Sequence, residues 1–492
     1  MTSTIERTQP ISHPDRLFIG GEWVSPSSDS VIRVRDSASE KVFLTVAEAQ
    51  AADMDRAVAA AREAFDHGPW PRMSHRERGA WMIRIADEWE RRTDDLADTW
   101  TRQSGVLRRM AGSIGRAAER FRYYAGVAET FPWEEQHVSQ DGLPALLVRE
   151  PVGVVGAIVP WNGSGGLVSK VATALITGCT VIVKSSPEAP SAAYILGEIC
   201  EKIGLPTGVI NVVTADREVS ELLVRHPGVD KISFTGSTAA GRRIASICGG
   251  RIARCTLELG GKSPAVILDD YDLATAAERI VRHAGHITGQ VCSSLTRMIV
   301  SRHRHDEFVE ALAATFSKVT VGDPFDPAVG MGPLAMERQR DRVEGYIAKG
   351  KAEGATLATG GGRPAHLDRG YFIEPTVFGN VDNGSAIAQE EIFGPVLSVI
   401  PADDEEQAVE IANDTIYGLN SAVFTNDPDR AYAVGRQLRA GTVGHNEFRS
   451  DFSIAFGGFK QSGIGREGGI EGLYPYLEAK TMIFEAMPSH VR

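Results

Sequence analysis

A chain of 492 residues exceeds what one hydrophobic core usually serves, so its length predicts two or three domains. Its 42% hydrophobic and 24% charged residues are typical of globular proteins, and a net charge of −12 disfavours a nucleic-acid partner. No apolar run reaches the ~18 residues of a membrane span, and residues 1–14 lack the apolar segment of a signal peptide, so we expect a cytoplasmic protein without a membrane partner.

The first quarter of the chain predicts a strand pair followed by helices. After a polar segment that we expect to fray, Leu17–Val24 has the pattern of a strand with a glycine turn. Asp53 is predicted to cap the first helix, Ser74 opens a capping box at the second, and a third helix is expected over about residues 111–130. This quarter shows no side chain of obvious chemical function.

An extended apolar segment, Leu143–Val148, precedes a region in which strands and helices alternate. The segment has no obvious polar face, so we interpret it as a projecting strand used in subunit contacts. The alternating region predicts βαβ units on a parallel sheet covered by helices on both faces, with ligands at the carboxyl ends of its strands. Its predicted strands are Val154–Val159, Thr180–Lys184, Val209–Val213 and Lys231–Phe234.

A carboxylate and a cysteine, Glu258 and Cys292, flank a predicted helix over Asp272–Ile287. A strand, a helix and a turn can bring the two residues to one cleft, and a thiol beside a carboxylate base is a recognised catalytic pair. The alternative is a buried structural cysteine and a surface glutamate. Because the five cysteines are odd in number and show no C-x-x-C spacing, we expect neither a disulfide framework nor a metal site.

A second alternating region follows Cys292. We predict strands over Arg297–Val300, after Glu390–Val396 and over Thr481–Phe484, with loops that include residues 457–469. In the first region, Phe234–Gly241 runs from a strand into a helix with G-x-x-x-x-G spacing, a weak signal for phosphate binding at a helix N-terminus.

Seven short motifs occur in order along the chain. They are PWN (160–162), the strand that ends at Lys184, FTGS (234–237), LELGGKS (257–263), GQVC (289–292), EEIFGPV (390–396) and SGIGRE (462–467). Together they resemble the aldehyde dehydrogenase superfamily over roughly residues 17–485. The family consists largely of NAD(P)-dependent enzymes that oxidise aldehydes to carboxylic acids.

The resemblance implies an α/β fold with three parts. A Rossmann-like, parallel-sheet NAD(P)-binding domain would take residues 1–130 and 149–259, and an α/β catalytic domain residues 260–468. A β-strand oligomerisation arm would take residues 131–148 and 469–492. Family members are commonly homodimers or homotetramers, so we expect the same here.

The resemblance also implies catalytic roles. Cys292 would attack the aldehyde carbon as its thiolate, and the Asn162 side-chain amide with the Cys292 N–H would bind the resulting oxyanion. After hydride transfer leaves a thioester, Glu258 would activate the water that hydrolyses it. Lys170 and Glu467 match positions suggested to relay the proton onward; an ordinary surface charge is the alternative for both.

The cofactor is expected to be NAD, with NADP possible. The resemblance implies that Lys184 hydrogen-bonds the adenosine ribose and that Glu391 takes the nicotinamide ribose hydroxyls. The full set of cofactor-binding residues that the resemblance implies is Val159, Pro160, Trp161, Lys184, Gly236, Ser237, Leu259, Glu391 and Phe393. The alternatives are a core aromatic for Phe393 and a solvated turn residue for Glu391.

Three features depart from the family pattern or invite another interpretation. NAD-preferring members often carry a glutamate where this chain has Pro187, so we hypothesise that NAD is preferred and NADP tolerated, with Glu188 a partial substitute. Ser185 and Ser186 are candidate donors to a 2′-phosphate. The pair His283 and His286 invites a thiol-hydrolase interpretation, although helical histidines are more often structural.

The substrate residues are expected to be Gly163, Gly166, Phe448 and Phe456. Small residues after Asn162 predict a wide tunnel for a bulky aldehyde, unless the phenylalanines fill that space. Three other functions remain open: thioester release to coenzyme A, a cofactor-independent thiol esterase, and a non-catalytic relative that keeps the fold. The presence of Glu258 favours water as the acyl acceptor, because enzymes that use coenzyme A typically lack this carboxylate.

Overall fold

The computed structural model describes residues 10–489 and residue 491. Strands β1 to β20 are, in chain order, Leu17–Ile19, Glu22–Val24, Val31–Arg35, Val42–Ala47, Glu134–Val138, Pro144–Pro151, Val154–Ile158, Thr180–Ser185, Ile210–Thr214, Lys231–Thr235, Arg254–Glu258, Ser263–Ile267, Leu295–Ser301, Thr356–Thr359, Thr376–Gly379, Val396–Ala402, Asn420–Phe424, Thr442–His445, Gly463–Ile464 and Leu477–Ile483. Helices α1 to α15 are Ala51–Asp66, His75–Arg91, Thr93–Ser104, Arg108–Ala111, Ala118–Val127, Gly165–Thr177, Ser191–Ile203, Arg217–Arg225, Thr238–Gly250, Leu273–Ala284, His305–Phe316, Glu337–Ala352, Ala386–Gln389, Glu405–Asn413 and Pro428–Gly435. Residues 1–9 of the N-terminal segment that we expect to fray lie outside the described residues.

An eight-stranded sheet occupies the first half of the molecule, in the order β19-β11-β10-β7-β8-β9-β1-β2. Strands β7 to β11 are parallel, whereas β1 and β2 close one edge and β19 the other in antiparallel pairing. Alternate side chains of β7 enter two hydrophobic clusters, with Val155 on one face and Val154 on the other. The predicted parallel sheet with helices on both faces is therefore confirmed.

A seven-stranded sheet follows, in the order β14-β15-β16-β13-β12-β17-β18, and only β14 in it is antiparallel. Two further hydrophobic clusters cover its faces. The sequence pattern predicts β13 and β16 but neither β17 nor β18. The second α/β unit is confirmed.

A separate three-stranded antiparallel sheet joins distant segments in the order β20-β6-β5. The two strands that the sequence predicts here are confirmed with shifted bounds, because β6 extends to Pro151 and β20 begins at Leu477. Strand β20 leaves its outer edge unpaired within the chain, and most of its residues are exposed.

Two predictions in the first quarter are wrong. Asp53 does not cap α1; Gln50 is the N-cap, and the buried Asp53 carboxylate accepts the Gln50 N–H at 2.9 Å from the third helical position. The helix expected over 111–130 is broken, because residues 112–117 form a 3₁₀ turn before α5. Gly115 lies in this turn, where a Cβ would collide with Thr93, so close packing on α3 fixes the break. No described helix is long and apolar enough to cross a bilayer.

Two later segments also differ from expectation. Helix α10 ends at Ala284, short of the predicted Ile287, because the chain then turns with positive φ. The expected loop 457–469 contains β19, whose Ile464 pairs with Leu257 of the first sheet. The chain thus returns to the first sheet after completing the second, and the domain boundaries proposed above stay a prediction.

Candidate active site

The candidate nucleophile follows a strained turn. Ile287, Thr288 and Gly289 all have positive φ, at 46°, 56° and 72°. Gly289 packs on the backbone of Gly394, and a Cβ at this position would collide with the Gly394 carbonyl. This close approach explains why a glycine lies three positions before the candidate nucleophile, since the space has no room for a side chain. Residues 285–292, called the nucleophile turn below, place Cys292 shortly before the start of β13.

Burial and charge both keep the Cys292 thiol protonated in the free protein. The pKa of Cys292 is raised to about 12, chiefly by burial and in addition by the carboxylates of Glu391 and Glu258. Of the other four cysteines, Cys179, Cys200 and Cys248 are buried, whereas Cys255 is half-buried. A Cβ on Gly261 would collide with the Cys292 carbonyl, so the segment after Glu258 runs directly against the nucleophile turn.

Glu258 ends β11 as a buried carboxylate without a hydrogen-bond partner. Its side chain is 3% exposed, and neither carboxylate oxygen is bonded by a described residue. Burial raises the pKa of Glu258 well above its ordinary value, and Glu467 adds to this while Lys170 and Arg466 oppose it. The alternative of a surface glutamate is therefore wrong. A buried carboxyl with a raised pKa and free lone pairs is suited to accept a proton from water.

Lys170 of α6 and Glu467 form a buried ion pair behind Glu258. Lys170 is fully buried and Glu467 is 4% exposed, so the surface-charge alternative is wrong for both. Glu467 is held in place because its backbone pairs with Phe456. The pair leaves Glu258 beside one carboxylate and one ammonium, which shift its pKa in opposite directions.

Asn162 lies in the loop between β7 and α6, with its side chain aimed at the nucleophile turn. Its Nδ2 donates to the backbone carbonyl of Gln290 at 3.0 Å, which leaves the second N–H of the amide available. The backbone carbonyl of Asn162 accepts a hydrogen bond from the indole N–H of Trp100 at 3.0 Å. Asn162 and Cys292 are therefore joined through Gln290, two residues before the cysteine.

The expected dinucleotide residues meet at the carboxyl ends of β7, β8 and β10. Ile158 is in register with both Lys184 and Phe234, so the segments that follow these strands are neighbours. Burial lowers the pKa of Lys184 to about 8, while nearby carboxylates oppose the shift. A Cβ on Gly236 would collide with the Phe234 ring, and Ser237 caps α9. Bare backbone before a helix N-terminus is a cradle for phosphate oxygens.

Glu391 and Phe393 are the residues expected to bind the nicotinamide end of the cofactor. The Trp161 and Phe393 rings meet edge to face at 5.4 Å, which links the PWN loop to the second α/β unit. Glu391 accepts the Gly261 N–H at 3.2 Å, and burial raises its pKa to about 7. Leu259 is buried between these groups and α9, against Gly241.

The model described as "Aldehyde dehydrogenase family" matches residues 23–482 of the chain. The chain belongs to the aldehyde dehydrogenase family. The geranial dehydrogenase of Castellaniella defragrans is 44% identical over 469 residues, which cover 95% of this chain and 98% of that protein. Aldehyde dehydrogenase 1 of Tanacetum cinerariifolium is 41% identical over 477 residues, covering 95% and 94%.

Solved structures of the family agree with this fold. A Mycobacterium tuberculosis aldehyde dehydrogenase complexed with NAD+ has a TM-score of 0.92 at 44% identity and covers 97% of this chain and 99% of its own. A Staphylococcus aureus betaine aldehyde dehydrogenase in complex with NAD+ has a TM-score of 0.94 at 35% identity, covering 98% and 99%. The family and the fold class expected from the motifs are thus confirmed, and the chain is an aldehyde dehydrogenase with an α/β fold.

The region around Pro187 in this aldehyde dehydrogenase is already hydrogen-bonded internally. Ser185 shares a hydrogen bond with Thr214 at 2.6 Å, and Ser186 donates to the Glu188 carboxylate. Glu188 also pairs with the partly exposed Arg338. A carboxylate and a guanidinium therefore lie beside the expected adenosine ribose site, and the two serines are engaged without a ligand.

The glycines after Asn162 point in different directions. A Cβ on Gly163 would lie 3.4 Å from the Trp100 ring, and one on Gly166 would lie 3.6 Å from Pro160. One on Gly165 would lie 3.2 Å from Arg120, whose guanidinium also donates to the Gly165 carbonyl. Neighbouring side chains therefore take up part of the space that the missing side chains leave.

The loop before Glu467 separates the three phenylalanines. Phe452 and Phe456 stack at 4.2 Å, and the Arg120 guanidinium covers Phe452 at 4.2 Å. Phe448 instead lies 5.4 Å from the His283 ring. Of the two proposed substrate phenylalanines, Phe456 thus lies near the carboxylates and Phe448 near α10.

The histidines have other partners than the nucleophile. His283 hydrogen-bonds Glu447 at 3.0 Å, and His445 hydrogen-bonds the Thr425 carbonyl at 3.0 Å. No described histidine hydrogen-bonds the Cys292 sulfur. Burial lowers the pKa of His286, whose buried Nδ1 has no hydrogen-bond partner among the described residues. The contact with Glu447 favours the structural interpretation of His283.

Proposed function

We propose that this aldehyde dehydrogenase oxidises a bulky, apolar aldehyde to the carboxylic acid and uses NAD as the hydride acceptor. The observation that carries the proposal is the buried, unpartnered Glu258 carboxylate, which lies close enough to Cys292 to raise the pKa of the thiol. The assay is reduction of NAD, followed by its ultraviolet absorbance, together with identification of the acid product.

The described residues fit a bound dinucleotide. Gly236 offers backbone that a side chain would obstruct, Ser237 opens a helix N-terminus, and Lys184 supplies an amine at the adjacent strand end. Glu391 and Phe393 would hold the nicotinamide end. NAD, when bound, supplies the hydride acceptor, and the protein supplies orientation and electrostatics.

In the acylation half-reaction, the Cys292 thiol gives its proton to the Glu258 carboxylate, which passes it toward the Lys170–Glu467 pair, and the sulfur bonds to the aldehyde carbon. Electrons of the C=O double bond move to the oxygen, where the free Asn162 N–H and the Cys292 backbone N–H stabilise the negative charge. When the oxyanion re-forms the C=O bond, the former aldehyde hydrogen leaves as hydride and a thioester to Cys292 remains. Preorganised donors are essential here because the surrounding site is buried.

In the deacylation half-reaction, Glu258 takes a proton from water as the water oxygen attacks the thioester carbon. The C–S bond breaks, the acid departs, and Cys292 regains a proton. Aldehyde, NAD+ and water thus yield acid, NADH and one proton. The Lys170–Glu467 pair would carry that proton away from Glu258.

Water is favoured over the other acyl acceptors. Because Glu258 is a buried carboxylate with free lone pairs, it can serve as a base without first breaking another bond. Adding coenzyme A should therefore leave both the rate and the acid product unchanged; a thioester product would contradict the proposal. Hydrolysis of a model ester without NAD at a rate equal to aldehyde oxidation would favour a thiol esterase.

Two observations support a bulky, apolar substrate. A relative that matches 95% of this chain at 44% identity is a geranial dehydrogenase. The stacked Phe452 and Phe456 also present an aromatic wall beside the carboxylates. We therefore expect geranial and other branched or aromatic aldehydes to exceed acetaldehyde in kcat/KM. A higher kcat/KM for acetaldehyde than for every large aldehyde would exclude the wide tunnel.

NADP tolerance remains part of the proposal. The 2′-phosphate of NADP would meet the Glu188 carboxylate, which repels it, and Arg338, which attracts it. Replacing Glu188 by Gln should raise kcat/KM for NADP at least several-fold relative to NAD, whereas Arg338→Gln should lower it. Complete inactivity of the unaltered enzyme with NADP would refute tolerance.

Assembly and location complete the proposal. The open edge of β20 supports a homodimer or homotetramer built through the 131–148 and 469–492 arm, since an unpaired edge is a pairing site. All five cysteines are free, which supports a reducing, cytoplasmic location.

A further inference from the structure

Helix α3 contacts the loop that carries Asn162 through two side chains. Trp100 and Ser104 are four positions apart and therefore lie on one face of the helix. The Trp100 indole N–H donates to the Asn162 carbonyl at 3.0 Å, and the Ser104 hydroxyl donates to the Trp161 carbonyl at 2.7 Å. Two consecutive carbonyls of the loop are thus held by one rigid element.

The same helix also contacts the nucleophile turn. The side-chain amide of Gln290 donates to the Ser104 carbonyl at 3.2 Å and to the Ile287 carbonyl at 2.8 Å. Its side-chain oxygen accepts the Ala335 N–H at 2.9 Å. Because Asn162 donates to the Gln290 backbone carbonyl at 3.0 Å, these hydrogen bonds form a closed circuit between the amide, the cysteine turn and α3.

The loop needs external support. Three of the four residues after Asn162 are glycines, and the side-chain hydroxyl of the fourth, Ser164, has no hydrogen-bond partner. Glycine has the largest backbone freedom, so this loop pays the largest entropic cost for a fixed conformation. A Cβ added at Gly163 would lie 3.4 Å from the Trp100 ring, so the ring limits the space around this glycine.

We propose that α3 sets the position of the Asn162 amide relative to the Cys292 sulfur, with Trp100 and Ser104 as positioning residues. The inference rests on the proposed roles of Asn162 and Cys292 in binding the oxyanion. Neither Trp100 nor Ser104 touches the substrate; both act through backbone carbonyls of the PWN loop. An amide displaced by a fraction of an ångström loses its advantage in the transition state more than in the ground state.

The test is a double-mutant cycle in the full-length enzyme. Trp100→Phe removes the N–H donor and retains a smaller aromatic ring, and it should lower kcat about threefold to tenfold, the effect of losing one neutral hydrogen bond. KM for NAD should stay unchanged. The matched control is Trp133→Phe, which removes an indole bond of equal length, 3.0 Å, to the Ala128 carbonyl near the start of the arm; its kcat should not change.

The cycle is completed with Asn162→Ala, which should itself cost about 10²–10³-fold in kcat. If Trp100 acts through the amide, Trp100→Phe should cost less than twofold in the Asn162→Ala background. The inference is overturned if Trp100→Phe lowers kcat equally in both backgrounds, or if it leaves kcat unchanged when Asn162 is present. Neither result would contradict the proposed aldehyde oxidation. Should Trp100→Phe fail to fold, Ser104→Ala enters the same cycle with the same two outcomes.

Discussion

At the scale of single residues, the buried carboxylates of Glu258 and Glu467 have opposite relations to their surroundings. Glu258 has no partner and a raised pKa, whereas Glu467 is paired with Lys170. The free energy of unfolding should therefore respond in opposite directions when each is neutralised. This contrast separates the proposed base, whose burial costs stability, from a carboxylate whose ion pair stabilises the fold.

We expect Glu258→Gln to raise the unfolding temperature at pH 8 and Glu467→Gln to lower it. Because the folded-state pKa of Glu258 is raised, the unfolded chain releases this proton first, so the unaltered protein loses stability as pH rises through the unfolded value. The gain from Glu258→Gln should vanish near pH 4. Glu467→Gln leaves Lys170 buried and unpaired, at a cost on the order of 3–5 kcal/mol. Thermal unfolding at both pH values provides the measurement, and equal effects of the two variants would contradict this account.

The charge of Glu391 should control the reactivity of the free thiol. Glu391 is the second cause, after burial, of the raised pKa of Cys292. Glu391→Gln should lower that pKa, so that at pH 8 a larger thiolate fraction reacts faster with iodoacetamide. Glu390→Gln is the matched control, because the neighbouring Glu390 side chain is exposed and bonded to Tyr346. An unchanged alkylation rate in Glu391→Gln would show that this carboxylate does not act on the sulfur.

At the scale of secondary-structure elements, the nucleophile turn depends on one glycine. Gly289→Ala should reduce kcat/KM by about 10²-fold or more, since a Cβ there collides with Gly394 and displaces the sulfur. Gly285→Ala is the control in the same turn, because its φ is −82° and the nearest atom to an added Cβ lies 3.9 Å away. If both variants lowered kcat/KM by similar factors, the end of α10, and not the contact of Gly289 with Gly394, would set the position of the Cys292 sulfur.

How far the sequence predicts these elements depends on how local their causes are. The parallel strands β7, β8 and β10 follow from runs of β-branched residues, and the motifs identify Cys292, Glu258 and Asn162 without a structure. Strands β17 and β18 are missed because their short segments are set by pairing in the second sheet. The contributions of Trp100 and Ser104 are also missed, since each depends on a carbonyl about 60 positions away and leaves no periodic signal.

At the scale of the whole molecule, the arm offers the clearest test of assembly. The outer edge of β20 carries the exposed apolar side chains Met482 and Ile483, at 40% and 57% exposure. Replacing both by Lys should shift the oligomer toward monomers in light scattering, because charge on an edge strand opposes pairing. Tyr432→Lys, an exposed aromatic on α15, is the control and should leave the mass unchanged. An intact oligomer in the arm variant would place the interface elsewhere.

The anchoring of the PWN loop from α3 has an evolutionary consequence. Trp100 and Ser104 recognise main-chain carbonyls, which every amino acid possesses, rather than side chains of the loop. Mutations at Gly165 or Gly166 would therefore reshape the proposed substrate tunnel while the amide donor keeps its place. Because the residues that hold the amide differ from those expected to line the tunnel, a few mutations can change which aldehydes the enzyme accepts while the catalytic residues keep their positions.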